Sequence, residues 1–175
     1  TAANLTNSNY HLLGLILSEL PTISKTQGTY DSKDVVGAGS PEAQNVSVTL
    51  ASGDFTEAAG FLKNNYNLPA TAIGTIGTIT RAALTAHLDS TITKVYDGNA
   101  TAANLTNANY HLLGLILSEL PTISKTQGTY DSKDVDEISS RDGRTVVWTL
   151  DPGDFTEAAG FLKNNYNLPT TAATT

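Results

Sequence analysis

Four carboxylates occur as two identical pairs, Asp54 with Glu57 and Asp154 with Glu157. Two carboxyl groups flanking one bond are what glycoside hydrolysis requires, one as acid and the other as base or nucleophile. At a spacing of three residues the same pairs also read as capping boxes, with Asp as N-cap and Glu reaching back to its amide. Ala58, Ala59 and Leu62 then follow at helical spacing. That structural job is the expected one, and no catalytic residue is assigned. His11, His87 and His111 stand without neighbours at the short spacings of a metal site. Residues 31–34, Asp-Ser-Lys-Asp, and residues 151–154, Asp-Pro-Gly-Asp, offer oxygens but lack the ligand ladder and closing Glu of a calcium loop. The chain is expected to be no enzyme and to hold no cofactor and no metal.

Recognition chemistry is concentrated in one loop. Residues 36–47, VGAGSPEAQNVS, align with residues 136–147, DEISSRDGRTVV, and almost nothing is shared although both flanks are nearly identical. Localised divergence marks either a tolerant loop tip or a stretch where ligand specificity varies. In the second copy it brings Asp136, Glu137, Arg141, Asp142 and Arg144 close to the sole tryptophan, Trp148. Arg and Trp are favoured at binding hot spots, so these five charged residues form the candidate binding loop. Trp148 itself aligns with Val48 on the inward face of a strand and is expected in the core. Asn4, Asn45, Asn99 and Asn104 each open an Asn-x-Ser/Thr triplet, the acceptor pattern for N-glycosylation.

The elements that must position these residues come in duplicate. Residues 1–35 return at 101–135 with one change, Ser8 becoming Ala108, and residues 53–69 return unchanged at 153–169. Arrays gain reach or avidity from each added copy, whereas enzymes seldom need two near-identical modules in series. The repeat therefore predicts two tandem modules, residues 1–80 and 81–175, cut from a longer array. The first is expected to lack its N-terminal strand and the second its C-terminal strand. Residues 45–50, NVSVTL, and 145–150, TVVWTL, alternate clearly, with Val46, Val48 and Leu50 inward and Val146, Trp148 and Leu150 matching them.

Residues 90–97, STITKVYD, read as a strand closed by turn chemistry at Asp97, Gly98 and Asn99. In residues 10–20, Gly14 and the following Pro21 weigh against a helix, so a strand is expected with Leu13, Leu15 and Leu17 packing inward. Residues 22–30 suggest a strand with a bulge at Gly28. The fold class is mainly β: two tandem antiparallel sandwich-like modules, each with one short helix near Asp54 or Asp154, joined around residues 80–86. A β-grasp-like α+β module is the alternative.

A formal charge of −7 with only ten scattered Lys and Arg makes nucleic acid and anionic membrane poor partners. The longest apolar run, within residues 12–17, is far shorter than the ~20 residues needed to cross a bilayer, so no membrane insertion is expected. Charged residues make up 15% of the chain against roughly 25% in average soluble domains. Such polar, uncharged surfaces go with secreted β-proteins. With no Cys, each module has to stand on its core without disulfides.

Several separated motifs occur in one family's order: Lys-Val-Tyr-Asp-Gly at 94–98, GTYDSKDV at 128–135, GDFTEAAG at 53–60 and NYNLP at 65–69 followed by GTIGTIT at 74–80. Together they resemble the YDG-type repeats of large secreted bacterial adhesins, the filamentous-haemagglutinin-like exoproteins of Gram-negative cells. The resemblance implies an extracellular stalk segment that spaces or presents an adhesive region, with neighbouring repeats of the same parent chain as partners. The alternative it implies is a module that binds a host-surface glycan or protein through residues 136–147. Some Cys-free adhesin domains carry a Lys–Asn isopeptide staple; here it would need Lys94 beside Asn165 or Asn167 and a nearby carboxylic acid.

Overall fold

Alternating apolar and polar residues set the longest strands in both copies, and the protein is mainly β. The computed structural model describes residues 3–16, 18–37, 40–58, 60–89, 92–135, 144–158 and 160–174. It divides into two units, Thr1–Thr80 and Arg81–Thr175. Unit one contains β1 (Ala3–Asn4), β2 (Thr22–Ile23), β3 (Gln27–Tyr30), β4 (Gln44–Thr49), β5 (Phe55–Thr56) and β6 (Thr71–Gly77). Four of them form an antiparallel sheet in the order β1-β3-β4-β6. On β4 the inward Val46 and Val48 are buried while Asn45, Ser47 and Thr49 face out, the period of two that a half-buried strand requires. β2 and β5 pair separately and bring Ile23 and Phe55 into the same apolar cluster. This ribbon of two-residue strands shares the cluster with Val46 and Val48 of β4, and Leu5, Leu50 and Phe61 complete it.

Unit two contains β7 (Ala82–Ala83), β8 (Thr85–Leu88), β9 (Thr101–Ala102), β10 (Tyr110–Leu113), β11 (Thr122–Ile123), β12 (Gly128–Tyr130), β13 (Val146–Thr149), β14 (Phe155–Thr156), β15 (Tyr166–Asn167) and β16 (Thr171–Thr174). Its main sheet runs β10-β8-β16-β13-β12-β9. The run β16-β13-β12-β9 repeats β6-β4-β3-β1, and β8 and β10 extend it. β8 lies antiparallel to β10 but parallel to β16, and β7 lies parallel to β15. The expected purely antiparallel pairing is thus corrected to a mixed sheet. The first and last strands of the main sheet in chain order, β8 and β16, are neighbours, and the intervening chain supplies the long crossover that a parallel pair needs.

Register explains how the only tryptophan is accommodated. Leu112 faces Ala86, Ala86 faces Ala172, Ala172 faces Trp148, and Gly128 faces Ala102 on the inner side. Small side chains on both flanks leave room for the indole, which is 0% exposed as expected. A Cβ on Gly128 would lie 2.2 Å from Trp148 Cε2, and one on Gly28 would lie 2.6 Å from Val46 Cγ1. Gly28 therefore permits close packing inside β3 instead of forming the expected bulge. The expected single strand over residues 22–30 is two strands, because residues 24–26 leave the β2–β5 ribbon before β3 joins the sheet.

Other expectations change for definable reasons. Residues 92–97 are not in a strand, since Lys94 bonds locally to the turn that follows. Residues 110–113 form β10 by pairing with β8, whereas the same residue types at 10–13 form no strand, since no strand pairs with them among the described residues. Leu13 is 95% exposed where an inward position was expected; Leu15 packs on the cluster as expected, together with Tyr10 and Leu12. Gly14, at φ +84°, shifts the parity so that Leu12 and Leu15 both face in. Leu17 lies outside the described residues.

Asp54 and Asp154 close the 3-10 turns Ser52–Asp54 and Pro152–Asp154, and β5 and β14 begin at once. The expected short helices are single 3-10 turns, and no α-helix occurs among the described residues, which removes the β-grasp alternative.

Candidate functional site

The carboxylate pairs are held by backbone. Asp54 Oδ2 accepts from the Ala51 N–H at 2.8 Å, and Asp154 Oδ2 accepts from the Asp151 N–H at 2.9 Å. Glu57 Oε1 accepts from the Lys63 N–H at 3.0 Å and Glu157 Oε1 from the Lys163 N–H at 2.9 Å. Asp54 is the last residue of its turn, so the capping geometry runs backwards from the expected one, with Asp as the reaching residue. Carboxylate acceptors of this kind fix loops: each satisfies an amide that the short turns would leave unpaired. Among the described residues no group of three or more His, Cys, Asp or Glu is placed to hold a metal. His111 Nδ1 meets Asp89 Oδ2 at 3.2 Å, and His87 stands opposite His111 across β8 and β10.

A different cluster gathers around Lys94. Its Nζ donates to Asn99 O at 2.9 Å, Asn99 Oδ1 at 3.0 Å and Thr101 O at 3.2 Å, and it pairs with Asp97 Oδ1 at 2.6 Å. The Asn99 N–H donates to Asp97 Oδ1 at 3.1 Å and the Thr101 N–H to Asn99 Oδ1 at 2.9 Å, while Gly98 takes φ +82°. Tyr-Asp-Gly at 96–98 is thus a turn wound around one ammonium group. Lys94 and the Asn99 amide hold the Asp97 carboxyl below the usual carboxylate range. Lys94 is engaged here and not with Asn165 or Asn167, and an ionised Asp97 is not the proton-donating acid that an isopeptide condensation requires. The turn signal was legible in the sequence; the lysine three residues before Asp97 was the part that went unread.

The corner is fastened to the sheet by the Tyr130 hydroxyl, which donates to Ile92 O at 3.0 Å, and by the Tyr130 N–H, which donates to Ala100 O at 2.8 Å. Between the corner and β12 lies a cleft of about 270 Å³ lined by Lys94, Tyr96, Lys133, Asp134 and Arg144 among others. Tyr96 is 56% exposed at its mouth. Of the five loop residues singled out in the sequence, Asp136, Glu137, Arg141 and Asp142 lie outside the described residues. Arg144 is at the cleft: its Nη2 donates to Asp134 O at 3.0 Å, and Nη1 is 3.8 Å from Asp131 Oδ1. Gln44 replaces it in unit one and sends Nε2 to the matching carbonyl, Asp34 O, at 2.8 Å. The two side chains share one structural contact, and only the arginine adds charge. Lysine and arginine there are balanced by Asp131, Asp134 and Asp97, so the cleft offers mixed polarity beside an aromatic ring.

Duplicated mainly β units with a lysine-centred Tyr-Asp-Gly corner define a tandem-repeat β protein. Residues 80–174, more than half of the sequence, match the YDG domain family, and the chain belongs to that family. Comparison with curated proteins and with solved structures gives no match. No helix among the described residues is long and apolar enough to cross a membrane.

Proposed function

We propose that the chain is a structural repeat segment of a secreted, Gram-negative cell-surface adhesin, spacing or presenting an adhesive region. The supporting observation is the repetition itself: two copies with near-identical sequence, each with an apolar cluster of its own. A unit that carries its own core can be added in series without rebuilding its neighbours. The charged side chains most suggestive of chemistry, Asp54, Glu57 and Lys94, all hold turns. Chains of two, four and six copies should gain maximum dimension by a constant increment per copy in small-angle scattering. A dimension that stops growing with copy number would sink the spacer role.

A second reading is favoured by the cleft beside the divergent loop: a glycan or host protein bound through residues 136–147, with Arg144 and Tyr96 at its edge. A glycan array probed with the chain, and with a variant carrying residues 36–43 in place of 136–143, separates the readings. Signal that disappears in the variant supports binding through the loop; a folded chain without signal leaves the spacer role.

A further inference from the structure

His87 and His111 are far apart in sequence, and no short spacing joins them. The fold makes them neighbours. In the register of β8 against β10, His87 stands directly opposite His111. Ala86 and Leu88 on either side of His87 are buried in the core of unit two, so both histidines lie on the outer face of the sheet, where 55% of the His111 side chain is exposed. Asp89 shares that face two residues beyond His87, and its Oδ2 is 3.2 Å from His111 Nδ1. On the other flank of His87 the paired residue of β16 is Ala173, which brings neither charge nor bulk.

We infer that His87 and His111 form a two-histidine chelate for a late first-row divalent cation, Cu²⁺, Ni²⁺ or Zn²⁺, with Asp89 holding the His111 imidazole in place. Imidazole nitrogen suits these ions. The Asp89 N–H donates to Asn109 O at 2.9 Å, so the pair two residues along, His87 with His111, is again of the hydrogen-bonded kind, with Cα atoms about 5.5 Å apart. Two nitrogens bound to one ion at about 2.0–2.1 Å lie roughly 3 Å from each other, which imidazoles on opposed Cβ atoms about 5 Å apart can reach. His111 Nδ1–H donates to the Asp89 carboxylate, which leaves Nε2 as the bare lone pair. A carboxylate placed so orients a histidine ligand and raises its basicity without touching the ion. The chelate therefore uses two protein ligands, and water completes the coordination.

Bound there, the ion ties β10, the edge strand of the main sheet, to β8 through side chains as well as backbone. Both imidazoles must be neutral to bind, so affinity falls as pH drops through the histidine range near ~6.5. Of the residues that β8, β10 and β16 place on this face, Thr85, Leu113, Thr171 and Ala173 among them, only Asp89 and the two histidines titrate. The site lies wholly within unit two, goes beyond the spacer reading and does not depend on it.

The test is calorimetric titration of the intact 175-residue chain with Cu²⁺, Ni²⁺ and Zn²⁺ at about pH 7.5 and about pH 5.5, on either side of the histidine range, with imidazole NMR under Zn²⁺. Binding should be tightest for Cu²⁺ and at least tenfold weaker at the lower pH. His87→Gln and His111→Gln should each weaken Ni²⁺ and Zn²⁺ at least tenfold. Asp89→Asn keeps both ligands and should weaken them about tenfold, the size of an outer-shell loss. His11→Gln removes the remaining histidine, which has no histidine paired with it among the described residues, and should change nothing. Zn²⁺ should raise the unfolding midpoint of the parent chain and not that of His111→Gln. No binding at millimolar metal overturns the inference, as does equal binding by His87→Gln or loss of binding in His11→Gln. Where a variant fails to fold, the parent spectrum decides: Zn²⁺ that leaves either the His87 or the His111 ring unshifted also overturns it.

Discussion

Trp148 shows how one residue sets the character of a whole unit. Its ring is enclosed by Gly128, Ala102 and Ala172, and its Nε1 has no hydrogen-bond acceptor among the described residues. Trp148→Ala is therefore expected to destabilise unit two by about 3–5 kcal/mol in urea unfolding, the range for emptying a large aromatic site. Trp148→Phe should cost clearly less, because no indole hydrogen bond is lost. Glycine makes a second residue-scale contrast. Gly14→Ala should cost about 1–2 kcal/mol, the strain of a left-handed backbone with a Cβ in open space. Gly114→Ala adds a collision with Ala83 O and should cost more, as read from the unfolding midpoints of the two variants.

Tyr110 gives a pH dependence. Burial first, and the Asp154 charge second, push its phenol up to about 12 from an ordinary 10.0. As pH climbs, the unfolded chain loses this proton before the folded one does. The contribution is thus whole below pH 10 and is lost as pH rises through about 12. Tyr10, Tyr66 and Tyr166 are raised as well, so ultraviolet titration should show several late-ionising tyrosines, of which the component near pH 12 is lost in Tyr110→Phe, and that variant should lose less stability across the same window. Trp148 as core was legible because Val48 shares its register. The hydroxyl of Tyr110, which donates to Lys125 O at 2.8 Å, was not, because its partner lies in a loop with no side-chain pattern of its own.

At the scale of elements, identical residue types behave differently in the two units. Residues 110–113 pair with β8, whereas among the described residues no strand pairs with residues 10–13. Hydrogen exchange should therefore be much faster at Leu12 than at Leu112; equal protection in the isolated chain would contradict this. Alternation made β4 and β13 readable, since each buries one face against its own unit. It failed at residues 10–13 because a strand also needs a neighbour, and no local pattern reports whether one is present. It failed at residues 92–97 for the opposite reason. There β-branched residues favoured a strand, but Lys94 had closer acceptors in Asn99 and Thr101. Near Asp54 the helical spacing lost to a carboxylate that bonds backwards to Ala51.

At the scale of the molecule, the two units should differ in stability. Unit two closes its core with Leu84, Ala86 and Leu88, and unit one leaves the corresponding groove open. Urea should unfold unit one first. Far-ultraviolet dichroism would then show two steps, while fluorescence of the single tryptophan should follow only the later one. Coincident transitions by both probes would mean that the units unfold together. The repeat was legible at once, and so was the mainly β class. Which strands each copy completes was not, because that depends on pairing between the opening and closing segments of a unit, which are its most distant parts in sequence.

That pairing also governs how a unit responds to pulling. Chain enters unit two through β7 and β8 and leaves it through β16, and β8 and β16 run side by side in the same direction. Tension applied through the two ends draws these neighbours past each other along their length, so their hydrogen bonds are loaded together in shear. In an antiparallel pair with both ends on one side, the bonds would break one at a time like a zip. The parallel contact makes the boundary strands of unit two its mechanical clamp.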